Sequence, residues 1–389
     1  MNERREFIKN ISLIGGAAAL APHLLTAAER PGLVIPGYLS GYSDLYKTDP
    51  KKASLAWFQN AGYGLFMHYG LYSIWGRGAW VQYMEKIPVA DYVKLKNEFT
   101  AKDFDADYIA DLAVDSGMKY VNITAKHHDG FCLFKSAQTD YTSVHSAAKR
   151  DLAGELKTAC EKKGLGLFLY YSVAADWHHP YFASNKDGWE MYRPQYDKPQ
   201  PEYKYKSLKD FPKYIAYVKA QLKELITQYN PAGIWFDPAM GLYANADIFP
   251  MEEIYTYIRS LSPHVLISFK QGATGTEDFA APERKANSLS DKVKTLYGDK
   301  AAALADRVWD AHKNKHNETC STMQRGAWSY EPENEGKRKH LGVDEVLELL
   351  KDAKTRNMNL LLNTGPLPDG GIHKGDAETL RKVGMIVKG

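Results

Sequence analysis

Seven short apolar runs, each separated from the next by a stretch that reads as loop and amphipathic helix, restrict this chain to a parallel βα architecture. The runs cover residues 63–68, 120–125, 165–172, 233–237, 265–269, 319–323 and 359–363. Most are apolar almost throughout, as a strand covered on both faces requires. Between them the helical period is legible. Leu152, Leu156, Ala159 and Cys160 share one face, and Gly164 closes that helix. Phe211, Ile215, Val218, Leu222, Leu225, Ile226 and Tyr229 keep the spacing through a long helix, and Val343, Val346, Leu347 and Leu350 repeat it before the last run. The pattern predicts an α/β fold, a (β/α)8-type (TIM-like) barrel whose eighth strand is irregular or missing. The 389 residues exceed the roughly 250 of a typical barrel, so the surplus falls in elaborated loops. No internal repeat, low-complexity segment or linker marks a second domain.

The N-terminus carries a separate signal. Arg4 and Arg5 precede an apolar run over residues 11–21 and a small-residue exit at Thr26-Ala27-Ala28. That run is too short to span a bilayer, and its flanks are those of a cleaved twin-arginine signal peptide. Residues 1–28 are therefore set apart from the barrel domain, 29–389. The mature chain is expected to be exported, periplasmic or extracellular, with no stable membrane insertion; an uncleaved anchor is the competing reading. The formal charge is +3, and loss of Arg4, Arg5 and Lys9 with Glu3 and Glu6 lowers it by one, so no nucleic acid or acidic membrane partner is implied. Cys132, Cys160 and Cys320 are odd in number and lack CxxC spacing, which argues against a disulfide framework and a structural zinc site. One pair could still bond in an oxidising compartment.

In a barrel the working groups sit at the C-terminal strand ends, and here those ends are strongly polar. The first run ends in His68, the second meets Lys126-His127-His128-Asp129, the third contains Tyr170-Tyr171 and the fourth ends at Asp237. The fifth leads to Glu277, Asp278 and Glu283, and the sixth begins beside Glu318. A carboxylate at the tip of a buried strand suits a nucleophile, while Pro238 to Gly241 read as loop rather than as a helix that Asp237 would cap. The 26 Tyr and 8 Trp fit a carbohydrate cleft, since aromatic faces stack on sugar rings, although aromatics also fill cores. A retaining glycosidase needs a second carboxyl about 5–5.5 Å away; Glu283 is the candidate, with Glu277 and Glu318 as rivals. The pairs His127-His128 and His178-His179 invite a metal reading. Adjacent histidines on a strand point to opposite faces, however, and neither pair has the i, i+4 spacing of a helical zinc motif. Imidazoles that bond sugar hydroxyls explain them without an ion, so neither metal nor cofactor is expected; for His68 a core role is the alternative.

Several segments resemble glycoside hydrolase family 29, the α-L-fucosidases: Gly64-Leu65-Phe66-Met67-His68-Tyr69-Gly70, Thr124-Ala125-Lys126-His127-His128-Asp129-Gly130-Phe131, Lys149-Arg150-Asp151-Leu152, Tyr170-Tyr171-Ser172, Gly233-Ile234-Trp235-Phe236-Asp237, Glu318-Thr319-Cys320 and Asn359-Leu360-Leu361-Leu362-Asn363-Thr364-Gly365-Pro366. The resemblance implies a retaining exo-glycosidase that removes terminal α-L-fucose from glycans by double displacement, acting on a fucosylated or related oligosaccharide. It places the nucleophile on Asp237 and the acid/base on Glu283. It places sugar contacts on His68, Trp80, His127, His128 and Tyr171, with Trp177 near the cleft. The chain departs from the family pattern at Ala79, where a glutamate is usual, at Tyr69, and at Ser268-Phe269-Lys270-Gln271-Gly272, which lacks an arginine; a further departure expected here is the lack of the C-terminal β-sandwich that many members carry. Those departures leave two other readings: an exo-hydrolase of α-L-galactose or its sulfated form, and a sugar-binding relative without catalysis.

Overall fold

Every apolar run becomes a strand, fully buried in all but the sixth, and the barrel follows from their parallel pairing. The computed structural model describes residues 34–183, 193–283, 288–332 and 339–389. Its strands are β1 (Tyr63–Met67), β2 (Tyr120–Lys126), β3 (Gly166–Ser172), β4 (Gly233–Asp237), β5 (Leu266–Phe269), β6 (Phe279–Ala280), β7 (Asn317–Thr322) and β8 (Met358–Thr364). They pair in parallel in the order β6-β5-β4-β3-β2-β1-β8-β7, a nearly closed barrel with one unsealed seam between β6 and β7. Across that seam run a single bridge between Glu283 and Cys320, the Cys320 N–H donating to Pro282 O at 3.2 Å, and the Ala280 N–H donating to Asn317 Oδ1 at 2.9 Å. The export signal expected over residues 1–28 lies outside the described residues. Among the described residues no helix is long and apolar enough to cross a membrane.

The eighth strand is β6, only two residues long, and the β5–β6 connection contains no helix. Glu277 shapes that connection: its carboxylate accepts the N–H groups of Ala273, Thr274 and Gly275 at 2.8–2.9 Å and the hydroxyl of Tyr255 at 2.7 Å. A buried carboxylate with four donors organises backbone, and it has left the competition for the second catalytic acid.

Among the described residues, eight α-helices of ten residues or more flank the strands: α1 (Pro50–Ala61), α2 (Ala106–Asp115), α3 (Leu152–Lys162), α4 (Phe211–Tyr229), α5 (Met251–Leu261), α6 (Asp299–His312), α7 (Val343–Thr355) and α8 (Lys374–Lys388). Asp49, Asp105 and Asp151 start α1, α2 and α3 by accepting the backbone N–H three residues on, which satisfies an otherwise orphan donor. Helix α1 closes the floor of the barrel. Its Phe58 stacks on Phe279 at 4.0 Å, and its Trp57 lies against Tyr120 and Phe168. Gly166 makes that approach possible, because a Cβ there would stand 2.4 Å from the Trp57 ring. Cys132, Cys160 and Cys320 are buried free thiols, so the disulfide left open by the sequence does not form.

Candidate active site

Strand parity decides which side chains enter the barrel. Phe66 and His68 from β1, Tyr170 and Ser172 from β3, and Trp235 and Asp237 from β4 alternate with residues that face the helices, and register pairs Tyr170 with Trp235 and Ser172 with Asp237. A cavity of about 420 Å³ opens above them, lined by His68, Trp80, His127, His128, Tyr170, Trp235, Asp237, Lys270, Glu283 and Trp328 among others. Volume alone does not single it out, since a groove of about 730 Å³ lies between α4 and α5. Convergence of opposed charges does.

Asp237 is buried at the tip of β4. Its Oδ2 accepts the Tyr170 hydroxyl at 2.9 Å and lies 3.8 Å from His128 Nε2, while Oδ1 has no partner among the described residues. Burial raises its pKa above the ordinary carboxylate value, a shift opposed by Lys270 and by the Tyr170 hydroxyl. The Lys270 ammonium, at the end of β5, lies 3.9 Å from Asp237 Oδ2 and 3.1 Å from Glu283 Oε2. Those two oxygens are therefore no more than about 7 Å apart, which admits the ~5–5.5 Å carboxyl spacing of a retaining glycosidase and excludes most of the ~6.5–9.5 Å inverting range. Burial alone would lower the pKa of Lys270, but the two carboxylates outweigh it and keep the side chain charged. Glu283 arrives because the chain leaving β6 crosses the open seam and bridges to Cys320.

Three imidazoles complete the wall. His68 Nδ1 meets Asn363 Oδ1 at 2.7 Å, and the Asn363 amide donates to Trp328 O at 2.6 Å, so one asparagine of β8 sets both an imidazole and an aromatic wall. His128 Nδ1 meets the Ser172 hydroxyl at 2.7 Å, and the His127 ring stacks on Tyr170 with centroids 5.6 Å apart. Burial drives the pKa of His68 down to about 3 and holds those of His127 and His128 well below the usual histidine value. All three are neutral at neutral pH, and with the Nδ1 atoms of His68 and His128 engaged by Asn363 and Ser172, their Nε2 atoms are left for a sugar hydroxyl.

The family model described as alpha-L-fucosidase matches residues 40–388, nearly all of the described chain. The chain belongs to the α-L-fucosidase family. Among its relatives, human plasma alpha-L-fucosidase is 29% identical over 357 residues, 86% of this chain and 67% of that protein. Among solved structures, alpha-L-fucosidase isoenzyme 1 from Paenibacillus thiaminolyticus superposes with a TM-score of 0.69 at 31% identity, over 87% of this chain and 76% of that one. The alpha-L-fucosidase AlfC from Lactobacillus casei, in complex with alpha-L-fucose product, gives 0.68 at 28%, over 86% and 98%.

Within this family member, Tyr171 and Trp177 do not line the cavity. Tyr171 has the opposite parity to Tyr170 and faces the helices, where its hydroxyl donates to Gln221 Oε1 at 2.8 Å. Its ring lies 4.4 Å from the Lys126 ammonium, which makes a fully buried ion pair with Asp176 at 2.7 Å. Asp176 also accepts the N–H groups of His178 and His179, so the second histidine pair belongs to a structural turn. Trp177 is buried behind the wall, edge-on to Trp80 at 5.3 Å and 5.5 Å from the His128 ring; it supports both without lining the cavity. Of the rival acids, Glu318 lies inside the barrel beneath the cavity, accepting from Tyr120 at 2.5 Å and from the Trp235 indole at 2.9 Å. Burial pushes its pKa up to about 7. Sequence reasoning listed Tyr170 only as part of a polar strand end, missed Trp235 and Trp328, and read Lys270 only as a departure from the family.

Proposed function

We propose that this fucosidase-family chain is an exo-acting α-L-fucosidase that retains anomeric configuration, with Asp237 as nucleophile and Glu283 as acid/base. The observation that carries the reading is the pair of carboxylates bridged by Lys270 across one cavity walled by neutral imidazoles. In the first step Asp237 Oδ1 bonds to the anomeric carbon as the glycosidic C–O bond breaks, and Glu283 gives its proton to the departing oxygen. In the second step water attacks the same carbon, Glu283 takes its proton, and the ester to Asp237 breaks with release of fucose. His68, His127 and His128 hold hydroxyls, and Trp80, Trp235 and Trp328 offer apolar faces to the ring.

Lys270 has a defined electrostatic task. It lowers the pKa of Asp237 against the upward push of burial, so Asp237 is ionised over a wider range than burial alone would allow. Activity that needs the carboxylate is lost as pH falls through its folded pKa. Lys270→Met removes a lowering influence, so the acid limb of the kcat/KM profile should move to higher pH; an unmoved limb refutes this role.

Substrate choice is tested by release of 4-nitrophenol from its α-L-fucoside and α-L-galactoside, with proton NMR of the first-formed anomer. Preference for the fucoside with initial release of α-L-fucose is expected. Preference for the galactoside overturns fucose as the sugar, and calorimetric fucose binding without turnover indicates a binding relative instead. We propose further that residues 1–28 route the chain through the twin-arginine pathway to the periplasm or beyond, on the strength of Arg4-Arg5 and the short apolar run behind them. This gives a mature chain of residues 29–389, the catalytic barrel domain.

A further inference from the structure

We propose that His340, His373 and Asp376 form a site for a divalent transition-metal ion, with zinc as its first test, at the foot of the loop that carries Trp328. The three residues come from two segments. His340 ends the β7–α7 loop, where it bridges to Gln324; His373 caps the N-terminus of α8, and Asp376 follows one turn on. Both Nδ1 atoms lie near one carboxylate oxygen, Asp376 Oδ1: His340 Nδ1 hydrogen-bonds it at 2.5 Å, and His373 Nδ1, which accepts the Asp376 N–H at 3.4 Å, lies 3.8 Å from it, so an ion would replace both hydrogen bonds. One ligand atom from each residue lies within 4.8 Å of the other two. Nitrogen and oxygen donors about 2.1 Å from a tetrahedral zinc ion stand roughly 3.4 Å from one another. The two separations from Asp376 Oδ1 straddle that value, and because the rings are stacked, 4.1 Å between centroids and 17° between planes, one ring must turn about its Cβ–Cγ bond before both lone pairs point at one ion.

Other features suit a metal centre. Asp376 is buried, and its second oxygen accepts the Thr364 hydroxyl at 2.6 Å, the kind of outer partner that fixes a metal-binding carboxylate. The His373 side chain is 32% exposed, which gives an ion a path from solvent and room for a coordinating water. Two imidazoles and a carboxylate favour zinc, copper or nickel over magnesium or calcium. The positive end of α8 opposes a cation, and the Asp376 carboxylate carries the compensating charge.

An ion here would act through the cavity wall. Gln324 clasps the Glu331 backbone in both directions, at 2.5 and 3.0 Å, and Trp328 lies between those two residues, 5.0 Å from the His68 ring. Joining His340 to α8 therefore fixes the base of the loop whose tip faces the sugar.

The test titrates zinc chloride into chelator-treated full-length enzyme, followed by calorimetry and thermal unfolding. One ion per chain and a raised Tm are expected. His373→Asn keeps a side-chain acceptor for the Asp376 N–H while removing the imidazole, so it separates ligation from helix capping. That variant and His340→Gln should each weaken zinc binding about 30-fold or more and remove the rise in Tm. Absence of saturable binding up to about 1 mM, or binding unchanged in both variants, overturns the site.

Discussion

Asp237→Ala should lower kcat on 4-nitrophenyl α-L-fucoside by roughly 10⁴-fold or more, the scale seen when a catalytic nucleophile is removed, and azide should restore turnover as β-L-fucosyl azide. The stereochemistry is the sharper half of the prediction. Removing the carboxylate opens the face from which Asp237 Oδ1 would attack, so a small anion entering there inverts the anomeric centre once and cannot be displaced again. The protein has reason to remain folded, because among the described residues only Tyr170 donates a hydrogen bond to the lost carboxylate at short range, and its hydroxyl borders a cavity that water can enter. Wild-type turnover in the alanine variant ends the assignment, and an α-configured azide would move the nucleophile elsewhere.

Asp237 was legible in the sequence because one strand carried both the burial pattern and the terminal carboxylate. Seven strands were legible for the same reason. The eighth was not, since β6 pairs through two residues and the seam is completed by the Asn317 side chain and by the backbone around Glu283, none of which leaves a periodic signal. Tyr170 and Tyr171 show a different limit. Adjacent residues on a strand must face opposite ways, but only the register of β3 on β4 tells which tyrosine meets Asp237. Lys270 was invisible as a site residue because its role depends on two carboxylates, 33 positions before it and 13 after it, that meet only when β4, β5 and the seam are assembled. Trp177 had the right neighbourhood and the wrong layer, a difference of one side-chain thickness that composition does not record. The same holds for Glu277 and Glu318, whose acidity was plain and whose partners were not.

Those partners make the second large prediction discriminating. Glu283→Ala should slow release of a sugar from a glycan by about 10²–10⁴-fold, the usual loss when a general acid is removed, and should slow glycosylation by 4-nitrophenyl fucoside much less. The phenolate leaves without a proton; a sugar alkoxide does not. Azide should again restore turnover, but as the α-L-fucosyl azide, because Asp237 still forms the covalent intermediate and azide replaces only the water that Glu283 would have activated. Glu318→Gln is the control, since Gln keeps an oxygen for the Trp235 indole and its amide can donate to a reoriented Tyr120 hydroxyl. Its activity should not depend on the leaving group. Nor should that of Glu277→Gln, whose side chain holds the β5–β6 turn. Opposite azide anomers from Asp237→Ala and Glu283→Ala would place one carboxylate on each face of the anomeric carbon, the arrangement that their shared contact with Lys270 permits. A leaving-group dependence that appears in Glu318→Gln instead would put the proton donor beneath the cavity and refute the proposed pair.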